Sequence, residues 1–264
     1  MSLLTNKKIL ITGINSPRSI AYGVAQACVR EGAEIALTYN NPRFKERLEA
    51  MAEALGAKGV FQLDVSDSTS IENLADNLKN LWPEGFDGFL NSIAWAPREA
   101  IDGRFLDGLS KDGFLAAMTV SAYSFPAMAK AFEPQLRTGA SLLSLSDLGS
   151  ELTVPNYNTM GVCKAALEAS TRYMAVDLGP KGIRVNSLSP GPVKTLAASG
   201  IKDFSKMLRD AQSCSVTGDL IGIQEIGNTA AFLLSDYSKG ITGENIYIDN
   251  GIRRHPFPRQ TELS

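Results

Sequence analysis

One histidine in 264 residues removes a good deal of chemistry at once. His255 lies in the tail Arg253-Arg-His-Pro-Phe-Pro-Arg259, whose two prolines argue against regular structure. A Ser-His-Asp hydrolase or a histidine-ligated metal enzyme would depend on that tail residue, so both classes are set aside and no metal site is expected. Cysteine is scarce too. Cys28, Cys163 and Cys214 are odd in number and lack metal-like spacing, so they read as reduced thiols of a cytoplasmic protein. Apolar runs such as Lys8-Ile-Leu-Ile-Thr12 stop after a few residues, which predicts no bilayer span and no membrane partner. The segment Met1-Ser-Leu-Leu-Thr-Asn-Lys-Lys has no long apolar stretch behind its charges, so no secretory signal is expected. Net charge is only −2, and a pI near 5.6 gives no sign of a nucleic-acid partner. Internal repeats, low-complexity stretches and linker-like runs are missing as well.

What is present is a rhythm. Short strand-like runs occur at 8–12, 34–39, 59–65, 86–92, 140–146, 183–188 and 244–249, with helical periodicity between them. Phe44, Leu48, Met51 and Leu55, for example, fall at i, i+4, i+7 and i+11. Such alternation predicts an α/β fold, a Rossmann-type doubly wound parallel sheet of about seven strands in a single domain spanning 1–264. A stretch at about 191–223 breaks the rhythm with Gly191, Pro192, Gly200, Gly218 and Gly222 around a short helix near 203–209. Its place before the last strand, at the carboxyl edge of the sheet, suits a substrate-covering loop, against the simpler reading of a surface excursion. Residues 252–264 read as an irregular tail.

Candidate cofactor contacts follow the strand ends. Gly13, directly after the first strand, lets backbone approach a phosphate, and Ser19 and the Ile20 amide stand where a helix would begin. Asp64, before Val65, could accept from an adenine amino group or merely cap the next helix. Asn91-Ser-Ile-Ala-Trp95 closes the fourth strand at the crevice where a dinucleotide would lie. Asn40 follows the second strand in place of the usual acidic ribose reader. It can bind a 2′-hydroxyl, while Arg43 and Lys45 could meet a 2′-phosphate, so NADH is expected with NADPH left open.

Tyr157 and Lys164 are seven residues apart. On one helix they would share a face at roughly 10 Å along the axis, too far for a direct hydrogen bond. That distance suits two groups gripping different parts of one extended ligand, against the bland alternative of a half-buried Tyr and a solvated Lys.

With Gly13…Ser19-Ile-Ala-Tyr-Gly23, Ser92-Ile93, Tyr157-x6-Lys164 and Ser189-Pro-Gly-Pro-Val-Lys-Thr-Leu-Ala-Ala-Ser-Gly200, the chain resembles the bacterial enoyl-acyl-carrier-protein reductases to about residue 251. These are divergent short-chain dehydrogenases of fatty-acid synthesis. Ordinary members of the wider family space Tyr and Lys by four, and here that position is Met160. The resemblance implies a usually tetrameric enzyme, hence an expected homotetramer, that passes hydride from NADH or NADPH to C3 of a trans-2-enoyl thioester on acyl carrier protein. It implies that Tyr157 donates to the thioester carbonyl and Lys164 holds the nicotinamide ribose. Gly13, Ser19 and Ile20 would cradle the pyrophosphate, Asp64 and Val65 would meet the adenine, and Ser92, Ile93, Thr195 and Leu196 would surround the nicotinamide. Ala94, Tyr157, Met160, Ala197, Ile201 and Phe204 are candidate linings of the acyl slot, and each could equally be core. Lys202, Lys206 and Arg209 would put a basic face on the short helix, suited to an acidic carrier protein or simply solvated.

One position departs from that pattern. The family carries a second tyrosine ten residues before the first, and here that residue is Asp147. An ionised carboxylate about 5 Å from a developing enolate would cost roughly 3 kcal/mol at an effective dielectric near 20. Asp147 is therefore turned away, protonated, or matched to a different substrate. Two alternatives stay open: a reductase of another polarised substrate in secondary metabolism, and a dinucleotide-binding paralogue with little catalysis. Further departures are Val216-Thr-Gly-Asp-Leu-Ile-Gly222, and Asn250 in Asp249-Asn250-Gly251.

Overall fold

All seven apolar runs become strands of one sheet in the computed structural model, which describes residues 2–195 and 204–255. They are β1 (Lys8–Ile11), β2 (Glu34–Tyr39), β3 (Gly59–Gln62), β4 (Phe86–Asn91), β5 (Leu136–Leu145), β6 (Arg184–Pro190) and β7 (Asn245–Ile248). The order is β3-β2-β1-β4-β5-β6-β7 and every pairing is parallel, with Ile9 opposite Ile35 on one side and Gly88 on the other. Order reverses at β1, so the crevice between β1 and β4 is the switch point where this fold binds ligands. The strands are shorter than expected at the end of β3 and longer at the start of β5, because paired backbone rather than side-chain pattern sets their limits.

Among the described residues there are eight α-helices: α1 (Ile20–Arg30), α2 (Lys45–Leu55), α3 (Ser68–Leu81), α4 (Lys111–Met118), α5 (Ser124–Phe132), α6 (Thr159–Leu178), α7 (Phe204–Cys214) and α8 (Ile223–Leu234). A core on one face packs α1, α2 and α8 on the sheet, and a second packs α3, α5 and α6 on the other. Phe89 stands edge-on to Phe125 and Phe132 with centroids 5.6 and 5.5 Å away, a favoured aromatic geometry. Helices α1 and α8 touch backbone to backbone. A Cβ at Gly227 would lie 2.4 Å from the Gly23 carbonyl oxygen, and one at Gly23 would lie 2.4 Å from that of Ile223. Gly23, part of the first cofactor motif, is thus required by helix packing.

In the stretch before β7, the helix is longer than expected, running on to Cys214. The segment after it docks on the end of the sheet, where the Val216 amide donates to Asn250 O at 2.9 Å. Asn250 has φ of +52°, a left-handed conformation that Asn tolerates where glycine would otherwise stand. His255 follows a short 3₁₀ turn, Ile252–Arg254.

Candidate active site

At the carboxyl ends of β1 to β4 lies a cavity of about 810 Å³, running from Gly13 past Asn40 and Asp64 to Thr119. That size is within the usual range for a cofactor site. Gly13 has φ of +82°, and a Cβ there would fall 2.2 Å from Ser92 O, so the first turn runs hard against the end of β4. Ser19 stands at the start of α1 but gives no side-chain cap. Its hydroxyl donates to Ser16 O at 2.7 Å instead. The Ile20 amide is left at the positive end of the helix, a place for a phosphate.

Asp64 lies just beyond β3, exposed on the cavity wall. Its Oδ1 accepts from the Ser66 amide at 2.9 Å and hydroxyl at 2.6 Å. The alternative of a helix cap fails, since Asp67 caps α3 by accepting from the Thr69 amide at 2.9 Å. Val65 is buried behind it. Across the cavity are exposed Asn40 and Phe44, with the Arg43 guanidinium 4.5 Å from the Phe44 ring centroid. Lys45 pairs with Glu49 at 3.7 Å along α2.

The loop after β4 brings Ser92, Ile93, Ala94 and Trp95 to the cavity. The Ser92 amide donates to Thr12 Oγ1 at 3.3 Å and the Ile93 amide to Asn91 Oδ1 at 3.2 Å. Ser121 Oγ accepts from the Trp95 amide and donates to its carbonyl, both at 2.8 Å. Ser121 belongs to a π-helical turn, Thr119–Tyr123, of the kind that gathers at functional sites. Neither Ser121 nor Thr119 was expected to matter, since a single wide turn leaves no periodic signature.

The second cluster surrounds α6. Helix α6 begins at Thr159, so Tyr157 is not on it, and its expected helical spacing from Lys164 does not hold. Asn156 at φ +59° and Asn158 at φ +42° flank the tyrosine in left-handed backbone, which stops the helix from reaching back. The phenol ring packs beside Met160, Cys163 and Ala117. Met160, offered as acyl lining, is a buried member of that apolar cluster. Behind the ring is Gly149, where a Cβ would lie 2.5 Å from Tyr157 Cδ1 and 3.1 Å from Asp147 Oδ1. Tyrosine and aspartate therefore flank one glycine. Lys164 is buried, and its Nζ donates to Leu145 O at 2.6 Å.

Charge in this cluster is held against burial. Burial raises the half-buried Asp147 carboxyl above its ordinary value, opposed by the Gly149 amide that donates to Oδ1 at 2.8 Å and by Lys164. Burial also lowers the Lys164 ammonium, opposed by Asp147, Cys163 and Glu168. Tyr157 is raised well above 10 by burial and by Asp147. Thr195 ends the described segment, its amide donating to Val193 O at 2.8 Å. Leu196, Ala197, Ile201 and Lys202 lie outside the described residues, and so does the side chain of Phe204 at the start of α7.

The cavity lies at the switch point, its lining residue Ala116 adjoins Ala117 of the cluster that holds Tyr157, and Lys164 reaches the end of β5. The model of the enoyl-(acyl carrier protein) reductase family matches residues 13–253. The chain belongs to that family. It is 49% identical over 251 residues to enoyl-acyl-carrier-protein reductase (NADH) FabI of Escherichia coli, covering 95% of each chain. It is 48% identical over 251 residues to FabI of Haemophilus influenzae, covering 95% of this chain and at least 95% of that one.

 Among solved structures, enoyl-acyl-carrier-protein reductase (NADH) from Aquifex aeolicus superposes with a TM-score of 0.92 at 41% identity, covering 95% of this chain and 98% of that one. The Anaplasma phagocytophilum reductase, solved in complex with NAD, gives 0.92 at 38% identity over 99% and 97% of the two chains. The reductase fold expected from the sequence is thus established.

One buried charged residue near Lys164 escaped the sequence reading altogether. Glu168, one turn beyond Lys164, is buried and accepts three side-chain hydrogen bonds. Within a long helix a lone glutamate looks like any solvated face, and its partners come from two distant segments, 146–150 and the start of β7.

Proposed function

We propose that the protein reduces the C2=C3 double bond of a trans-2-enoyl thioester carried on acyl carrier protein, in fatty-acid synthesis, with NADH as reductant. The relatives named above are NADH reductases of this substrate class, and the site geometry is compatible with it. The observation that carries the reading is a cavity of cofactor size whose α4 wall, at Ala116, adjoins the Ala117 cluster holding Tyr157, with Lys164 held at the end of β5.

The cavity walls fit such a cofactor. Gly13 and the Ile20 amide receive the pyrophosphate, Asp64 and Val65 the adenine, Asn40 the ribose, and Ser92, Ile93 and Thr195 the nicotinamide end. Arg43, stacked on Phe44 at the rim, leaves room for NADPH as a poorer reductant. When bound, the dinucleotide supplies the hydride that goes to C3. Lys164 holds the nicotinamide ribose and presents positive charge below it. Tyr157, kept protonated by burial, donates a hydrogen bond to the thioester carbonyl as negative charge gathers there. Asp147 faces the same region. A neutral carboxyl there donates to substrate, whereas an ionised one opposes the enolate.

Lys206 and Arg209 on α7 form a basic patch for the acidic carrier, and the Lys206 to Asp210 pair at 2.8 Å is too exposed to cancel it. The α6 face bearing Val162, Tyr173 and Val176, the last two 77% and 75% exposed, suits burial between subunits of a homotetramer. The test is NADH oxidation at 340 nm with crotonyl and longer 2-enoyl thioesters on carrier protein, alongside light scattering for mass. Turnover across chain lengths is expected, and its complete absence with either reductant overturns the reading.

A second reading rests on Asp147. An ionised carboxylate beside Tyr157 would favour an enoyl substrate carrying a hydroxyl or amine. A clear preference for such substrates over unsubstituted thioesters at neutral pH would support it.

A further inference from the structure

The three partners of Glu168 come from two stretches far apart in the chain, the 146–150 segment that follows β5 and the start of β7. Ser146 Oγ donates from the end of β5, Ser150 Oγ at 2.6 Å from the turn after it, and Asn245 Nδ2 at 2.8 Å from the start of β7. Asp147 and Gly149 lie between Ser146 and Ser150, so Glu168 clamps both ends of the segment that carries them. That segment is also what Tyr157 rests on. Its ring edge lies against Gly149, and a Cβ at Gly161 of α6 would fall 2.6 Å from the Gly149 carbonyl. Four residues before Glu168 on the same helix is Lys164, whose ammonium feels both the Asp147 and the Glu168 carboxylates. Among the described residues Glu168 has no ion pair, although it is buried. A buried carboxylate satisfied wholly by neutral donors is costly to keep for packing alone.

We propose that Glu168 is a positioning residue for the reduction: it fastens the 146–150 turn so that the Tyr157 phenol and the Asp147 carboxyl are presented to substrate at fixed distance from Lys164. This rests on the reading of Tyr157 and Lys164 as the working pair. The clamp acts on geometry at the phenol, so its loss should appear in turnover more than in cofactor binding. Misplacement by about 1 Å can cost as much as 100-fold in rate.

The full-length protein is compared as wild type, Glu168→Gln, Ser150→Ala and Tyr157→Phe. Steady-state kinetics with NADH and a 2-enoyl thioester are measured across pH 6–9, and NADH affinity and binding stoichiometry by fluorescence titration. For Glu168→Gln the expected result is a kcat lower by about 10- to 100-fold. The NADH dissociation constant should stay within about threefold, and the alkaline limb of the pH profile should move down, since the Lys164 ammonium loses a supporting carboxylate. Ser150→Ala, which removes one of three donors and folds most readily, should lose about three- to tenfold in kcat in the same direction. A merely structural role would lower NADH stoichiometry in proportion to activity and leave the pH profile unmoved, which overturns the proposal. Wild-type kcat in both clamp variants overturns it too. If Tyr157→Phe is itself fully active, it is the catalytic-pair reading that fails, and the two failures are told apart.

Discussion

The two halves of the site are built differently. The cofactor half, from β1 to β4, is a cavity walled by backbone turns, apolar side chains and exposed polar groups. The substrate half, around β5 and α6, concentrates buried charge. Of the five buried Asp, Glu, Lys and Arg side chains among the described residues, only Asp87 precedes Lys164, and it is paired with Lys7 at 3.6 Å and Arg137 at 3.4 Å. Lys164 and Glu168 are buried without ion pairs among the described residues and rely on neutral hydrogen bonds. The difference teaches where chemistry sits. A binding surface for a large ligand can be made of shape and amides, whereas a site that manages developing charge needs ionisable groups whose states are set by burial.

That division can be broken by substitution. The largest effect should come from Lys164→Ala, which takes away the ammonium and leaves Asp147 and Glu168 facing the site uncompensated. The expectation is a loss of roughly a thousandfold in kcat/KM together with weakened NADH binding, read by fluorescence titration. Retained tight NADH binding would show that the lysine does not join the two halves. Tyr157→Phe should lower kcat by roughly 100-fold with an unchanged KM for NADH, because it removes one donor to the oxyanion.

Asp147 gives the pH test. Its carboxyl is raised by burial, so it holds its proton to higher pH than a free aspartate. Below that raised value it is neutral and tolerates the enolate; above it the charge opposes reaction. For an unsubstituted enoyl thioester, kcat/KM should therefore fall with rising pH by about 100-fold, and Asp147→Asn should flatten that part of the profile. A flat wild-type profile would mean the carboxylate points elsewhere during turnover.

The cofactor half should answer in affinity. Ser121→Ala unpins the Trp95 backbone at two hydrogen bonds, each worth about 1 kcal/mol. A rise of about threefold to tenfold in the KM for NADH is expected, with kcat little changed. Smallest in its effect on chemistry is Gly227→Ala, whose added methyl meets the Gly23 carbonyl. It should lower stability by about 1–3 kcal/mol, seen in thermal melting, while the folded fraction keeps both kcat and KM.

Legibility followed the same division. Gly13, Asn40, Asp64 and Ser92 to Trp95 could be placed because each directly follows a strand, and strands announce themselves by apolar runs. The turn around Tyr157 could not, since two left-handed asparagines interrupt what reads as continuous helix. Met160 illustrates the limit in a single residue: apolar and near the tyrosine, it proved to be core.

By itself the sequence determined the alternating fold, because periodicity is local, and it named the strand-end residues and the Tyr157 and Lys164 pair as candidates, the pair through a family resemblance. Only the tertiary structure decided that Tyr157 stands outside its helix, that Asp147 shares Gly149 with it, and that Glu168 ties three segments together. Those facts depend on residues up to 77 positions apart being brought within hydrogen-bond reach, and no local pattern encodes a contact between them.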